Sequence, residues 1–180
     1  MIEKKIEVPE HVDVSVEGKK VVVKGSKGSL ERSFSDPRFV RTLVIEKQGR
    51  EIAVRSSKDT KKHRAMVGTI EAHLKNMFLG VSSGYAYRMK IFYTHFPINI
   101  TVKDGEVQIR NFLGEKGART AKIVGKAEVK LDKDEIVING TDKEELGQTA
   151  ANIEHACKIS KRDRRIFQDG VYLASRGVSE

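Results

Sequence analysis

Tryptophan is absent from this chain, and cysteine and proline are scarce: Cys157 stands alone, with three prolines in 180 residues. One cysteine excludes an intramolecular disulfide framework. Its place among apolar residues at helical spacing points to a small buried hydrophobe in a reducing compartment. No stretch approaches the roughly 18 apolar residues of a membrane-spanning helix, and no apolar run follows Met1-Ile2-Glu3-Lys4-Lys5. Neither a transmembrane segment nor a secretory signal is expected, and a cytosolic protein is the default. HExxH, CxxC and a glycine fingerprint after a strand are all missing. The five histidines are scattered. Catalysis, a metal site, a cofactor and a small-molecule substrate are therefore not expected.

Present instead is an excess of positive charge, with 34 Lys and Arg against 25 Asp and Glu, a net +9. Such a balance favours a polyanion by long-range attraction. Nucleic acid is the commonest one, an anionic membrane surface is the rival, and plain solubility is the bland explanation.

One helical pattern is used twice. In the stretch from Thr141 to Ile159, Leu146, Ala150, Ile153, Cys157 and Ile159 form an apolar face. Thr141 or Asp142 is placed to cap its start, and acidic residues fill the first turn. Asp59 and Ile70-Glu71 repeat Asp142 and Ile153-Glu154 at a spacing of 83 residues. The first copy should bury Met66, Ile70, Leu74, Met77 and Phe78 and end at Gly80. Before it, Val12, Val14 and Val16 alternate as in a half-buried strand, and Val21-Val22-Val23 returns. Gly25-Ser26-Lys27-Gly28-Ser29 reads as a flexible loop. Phe96 to Val102, Asp104-Gly105 and Val107 to Asn111 repeat this hairpin. Tyr85, Tyr87, Met89, Ile91 and Tyr93 alternate and are expected to finish the first sheet. The pattern predicts an α+β fold of two tandem similar domains, residues 1–94 and 95–180, each an antiparallel β-sheet packed against one α-helix. Residues 174–180 show no pattern and are expected to be mobile.

Two basic clusters stand out. Lys116, Arg119 and Lys122 lie around Gly114 and Gly117, which permit a tight open loop. A solvated hairpin tip explains them equally well. The second cluster runs Lys158-Ile159-Ser160-Lys161-Arg162-Asp163-Arg164-Arg165. Charge at a helix C-terminus explains Lys158 but not four further cations. Residues 1–94 carry 19 basic and 11 acidic side chains, against 15 and 14 in residues 95–180. Net charge therefore points to the first domain, and clustering to the second.

Gln148-Thr149-Ala150-Ala151-Asn152-Ile153-Glu154, followed by Arg162-Asp163-Arg164-Arg165-Ile166-Phe167-Gln168-Asp169-Gly170-Val171-Tyr172-Leu173, resembles the signature of the L-six family of large-subunit ribosomal proteins, in its archaeal and eukaryotic branch. His95-Phe96-Pro97-Ile98-Asn99, Asn111-Phe112-Leu113-Gly114-Glu115-Lys116 and Val23-Lys24-Gly25-Ser26-Lys27-Gly28 resemble it too, with Ser26 where relatives are expected to carry proline. The resemblance covers nearly the whole chain, and the short ends resemble archaeal members. It implies a cytoplasmic ribosomal protein binding large-subunit RNA near the sarcin-ricin loop and the stalk base, beside neighbouring ribosomal proteins and close to where translational GTPases dock. It also implies that the C-terminal domain carries most of the RNA contact. Matched residue by residue, the implied contacts are Asn111, Lys116 and Arg119 in the loop, and Lys161, Arg162, Arg164, Arg165 and Gln168 in the tail; Lys122 joins them from the first cluster. The competing classes are a two-domain protein-interaction module, whose binding would ignore salt, and a non-specific basic RNA-binding protein outside the ribosome.

Overall fold

A computed structural model describes residues 2–160, 162–163 and 165–179. The chain divides into two units, residues 1–84 and 85–180.

The first unit contains β1 (Ile2–Glu7), β2 (Asp13–Glu17), β3 (Lys20–Gly25), β4 (Gly28–Ser33), β5 (Leu43–Gln48), β6 (Glu51–Ser56) and α1 (Lys61–Ser82). Its strands form two antiparallel sheets, ordered β1-β6-β5 and β2-β3-β4. Alternation decides which side chains turn inward: Val21 and Val23 of β3 are fully buried while Lys20 and Lys24 are exposed. Against them α1 presents Val67, Ile70, Leu74, Met77 and Phe78. Val67 is fully buried, whereas Met66 is only partly buried against the core. Thr60 caps the start, its hydroxyl accepting from the His63 N–H. Gly80 does not end the helix. It is buried within it, and Ser83 is the C-cap.

The reason lies in β3 and β4. Residues 25–29 form a tight hairpin rather than a flexible loop, with Gly25 paired to Gly28. The Lys27 N–H donates to the Val81 carbonyl at 2.9 Å, and the Ser26 hydroxyl to the Ser82 carbonyl at 2.9 Å. These are carbonyls that the end of a helix leaves without an internal partner. Satisfying them lets α1 run on past Gly80. Contact is so close that a Cβ on Gly25 would lie 2.6 Å from the Val81 oxygen.

The second unit contains β7 (Tyr85–Phe92), β8 (Asn99–Lys103), β9 (Glu106–Arg110), β10 (Arg119–Lys122), β11 (Glu128–Asp132), β12 (Glu135–Gly140), α2 (Lys143–Ala156) and β13 (Gly170–Val178). Its sheets are β10-β9-β8 and β11-β12-β7-β13, again antiparallel. The two units are thus similar α+β domains, each antiparallel sheet structure packed against one helix.

Two expectations are corrected. The alternating stretch from Tyr85 does not finish the first sheet, and the division falls at Gly84 rather than Thr94. β7 pairs with β12 and β13, standing as β1 stands to β6, and begins 83 residues after β1. Residues 174–178 also take part, because β13 pairs with β7 as far as Val178. A bulge at Ala174 breaks the side-chain period there, while backbone hydrogen bonding continues without it.

Gly25→Ala should destabilise the first unit by about 1–3 kcal/mol, since the added methyl meets backbone that cannot move aside. At Gly68, mid-helix with open space around it, Ala should instead add about 0.5–1 kcal/mol. Urea unfolding of the two variants checks the contrast.

Candidate RNA interface

α2 supplies the frame. Asp142 caps it, accepting from the Glu144 N–H at 2.8 Å, and Glu144 and Glu145 fill the first turn. Leu146, Thr149, Ala150 and Ile153 face the core, with Cys157 and Ile159 buried beyond. Burial pushes the Cys157 thiol up to about 11, so it is a packing group and not a nucleophile. The polar motif residues hold neighbouring backbone. The Thr149 hydroxyl accepts from the Val124 N–H at 3.0 Å, Asn152 Nδ2 donates to the Lys122 carbonyl at 2.9 Å, and Glu154 accepts from the Leu173 N–H at 2.9 Å.

At the far end of α2, Arg119 closes the structure. Its Nη1 donates to the carbonyls of Ala156 at 2.8 Å and Lys158 at 3.1 Å. Nε and Nη2 grip Glu115 at 2.8 and 2.6 Å, and the guanidinium lies 4.4 Å from the Phe112 ring centroid. The bonds from Arg119 hold the Glu115 carboxyl below its usual range, and the charge of Arg162 adds to this. The glycine-containing loop and the start of the basic tail are therefore neighbours. Asn111 and Leu113 both take positive φ in this loop, and Asn111 Nδ2 donates to the Pro97 carbonyl at 3.0 Å. Arg119 and the Asn111 amide nitrogen thus spend donors on neighbouring groups of the fold. Lys116 and Lys122 are exposed.

The tail turns on Asp163, whose carboxylate accepts from the Arg165 N–H at 2.9 Å and whose carbonyl accepts from the Phe167 N–H at 2.9 Å. Arg165 projects with its side chain 92% exposed. The Arg162 guanidinium sits 4.8 Å from the Phe167 ring centroid, and His95 stacks on the same ring at 4.7 Å. Gln168 is exposed, its Nε2 donating to the Arg165 carbonyl at 3.4 Å. Lys161 and Arg164 lie outside the described residues.

Asp169 anchors this segment from below. It has no solvent exposure, and it accepts from the Thr94 hydroxyl at 2.8 Å, the His95 N–H at 3.3 Å and His95 Nδ1 at 3.0 Å. Burial alone would raise its carboxyl, but the bonds from His95 and Thr94 outweigh it and hold the group at about 2. Read from sequence, Asp169-Gly170 is only a turn. The signal available was an acid set among Phe167, Val171 and Leu173, which fold onto the core. Among the described residues, no group of three or more His, Cys, Asp or Glu side chains is placed to hold a metal ion, and no helix is long and apolar enough to cross a membrane.

A family model described as Ribosomal protein L6 matches residues 8–84 and 96–170, once in each unit. The chain belongs to the ribosomal protein L6 family. Among its relatives is the large ribosomal subunit protein uL6 of Ignicoccus hospitalis, 47% identical over 174 residues, which cover 96% of this chain and 94% of that protein. That of Methanocella arvoryzae is 49% identical over 174 residues, covering 96% of each. That of Methanosarcina mazei is 45% identical over 175 residues, covering 97% of each. The likeness is to the archaeal and eukaryotic type of the family. Within the L6 family frame, the motif residues of this chain divide into those that build the second unit (Asn111, Arg119, Thr149, Asn152, Glu154 and Asp169) and those it leaves on the surface (Lys116, Lys122, Arg162, Arg165 and Gln168).

Asp169→Asn should lower the stability of the second unit at pH 7 by about 2 kcal/mol, the usual loss for charged hydrogen bonds. The folded carboxyl lies below its ordinary 3.8. Its contribution is therefore complete above that value and is lost as pH falls through about 2. The gap between wild type and variant, measured by urea unfolding, should close over that interval.

Proposed function

We infer that this chain is a structural, non-catalytic constituent of the large ribosomal subunit, acting in the cytoplasm, where it binds large-subunit ribosomal RNA beside neighbouring ribosomal proteins. Membership of the L6 family over both units carries the inference. The second unit supplies the main contact on this reading. Arg162 and Arg165, with Lys116 and Lys122, meet phosphates, which fix orientation without reading sequence, and Gln168 adds a neutral donor. Arg119 and Asn111 act by shaping the loop. Folded RNA is then recognised mainly by shape, through its shallow minor groove and 2′-hydroxyls. The site is near the sarcin-ricin loop and the base of the stalk, so that two rigid units brace RNA beside the place where translational GTPases dock.

Net charge still favours the first unit, +6 against +3, but by less than the sequence tally does. Moving the division from Thr94 to Gly84 carries Arg88 and Lys90 into the second unit and raises its net charge from +1 to +3. Its exposed arginines are also carried on a segment held at both ends, by Arg119 and by Asp169.

Nuclease footprinting on purified large-subunit RNA, with a size-matched control RNA and a salt series, tests this. The wild-type chain should protect one compact region that includes the sarcin-ricin loop. Replacing both Arg162 and Arg165 with Ala should weaken binding and lower the log–log salt slope by roughly 0.7–0.9 per lost phosphate contact, while leaving the melting curve unchanged. Equal, unlocalised protection of both RNAs would overturn specific binding. A slope unaltered by the double substitution would remove those two arginines from the interface.

A further inference from the structure

Four aromatic side chains of the second unit stand half in solvent: Phe92, Tyr93, Phe96 and Tyr172. Phe92 and Tyr172 come from adjacent paired strands, β7 and β13, and their ring centroids lie 6.2 Å apart at 57°. Phe92 is 53% exposed and Tyr172 is 46% exposed. Leaving two rings in water forgoes the burial that normally stabilises such side chains, yet Tyr172, against which Phe92 rests, is held in place. The Tyr172 hydroxyl donates to the Gln168 carbonyl at 3.1 Å. Its ring lies over Gly170, where a Cβ would come within 3.1 Å of it. A glycine there lets the ring lie close against the backbone.

Register defines what surrounds them. Across the sheet, Tyr172 stands opposite Lys90, Lys90 opposite Glu135, and Arg88 opposite Ser175 and Val137. Directly opposed residues share a face, and Met89 and Val171 point the other way, into the core. The outer face of β7 and β13 therefore carries two aromatic rings beside Arg88 and Lys90, both exposed. Lys90 reaches Glu135 only at 3.8 Å, an exposed pair of small worth. Tyr172 also borders a groove of about 410 Å³ shared with Lys158, Glu154 and Phe167, whose ring carries Arg162. Cations beside fixed, half-exposed rings match a single-stranded nucleic acid, whose bases stack while its phosphates are held. A protein partner's apolar side chains would instead call for apolar neighbours around the rings.

We propose that the outer face of β7 and β13 is a base-stacking platform, on which Phe92 and Tyr172 take unpaired nucleobases of the ribosomal RNA while Arg88 and Lys90 hold the adjoining phosphates. The proposal rests on the RNA-binding reading above and adds a second mode of contact, through bases, to the phosphate contacts of the tail.

The absence of tryptophan offers a direct test. F92W places a sole indole on the platform of the full-length chain. Its emission should be strongly quenched on titration with purified large-subunit RNA, with binding followed independently by the mobility of the complex. F92L, which keeps the apolar side chain but loses the ring, should bind the same RNA about tenfold more weakly with an unchanged salt slope. Retained binding with unquenched F92W emission, or wild-type affinity in F92L, would overturn the platform and leave the tail contacts standing. Failure of the wild-type chain to bind the RNA at all would overturn both readings. Quenching by RNA already carrying its other proteins, but not by protein-free RNA, would assign the face to a neighbouring protein and likewise overturn the proposal.

Discussion

The second unit depends on the free carbonyls at the C-terminus of α2. A helix end leaves its last carbonyls without internal partners, and here two carbonyls just past the last helical turn or at it, those of Ala156 and Lys158, accept from one guanidinium. Arg119 can do this because its planar fork satisfies several acceptors at fixed angles. Glu115 takes the other edge and Phe112 the face. Lysine could neutralise the same charge but could not tie the loop, the aromatic core and the helix end together. The direction in which the chain leaves α2 follows from that junction, and with it the course of the basic tail.

The first unit meets the same constraint by other means. There the β3–β4 hairpin brings the Lys27 N–H and the Ser26 hydroxyl to the carbonyls of Val81 and Ser82. In both copies the chain that follows the second strand of one three-stranded sheet, β2-β3-β4 or β10-β9-β8, closes the helix end. The first copy uses backbone and a hydroxyl, which demands Gly25 at the contact. The second uses a long side chain, which frees its loop to lengthen and expose Lys116. A tail that must present arginines also needs a second fixed point. Asp169 provides it, because a carboxylate with three donors and no access to water holds its position.

Legibility followed periodicity. The apolar face of α2 could be read from spacing alone, and Leu146, Ala150, Ile153, Cys157 and Ile159 are all buried. Alternation likewise marked β7 as a strand, but not its partners, because pairing is set by tertiary contacts that one strand's pattern does not contain. The 83-residue interval between the helices did contain the answer: applied to β1, it leads to Tyr85. β13 escaped notice because its bulge interrupts the period. Arg119 was legible as a cation in a basic loop, yet sequence cannot distinguish a guanidinium aimed at solvent from one aimed at Ala156. The same is true of Asp169, whose role depends on Thr94 and His95, more than 70 residues away.

The placement of the few aromatics bears on the same division. Phe34, Phe78, Phe112, Tyr85 and Tyr87 are buried and serve the two cores. Phe167 is half-buried between the core and the tail, where its ring carries His95 and Arg162. In the second unit the half-exposed rings gather at the end of β7, in the segment after it, and on β13 beside it. A chain with 6% aromatics and no tryptophan has little to spare for solvent. Rings left outside at one edge of one unit, beside cations and next to the anchored tail, extend the surface that the tail begins. Phosphate contacts alone would bind any polyanion; rings that require unstacked bases add a demand that continuous duplex does not meet.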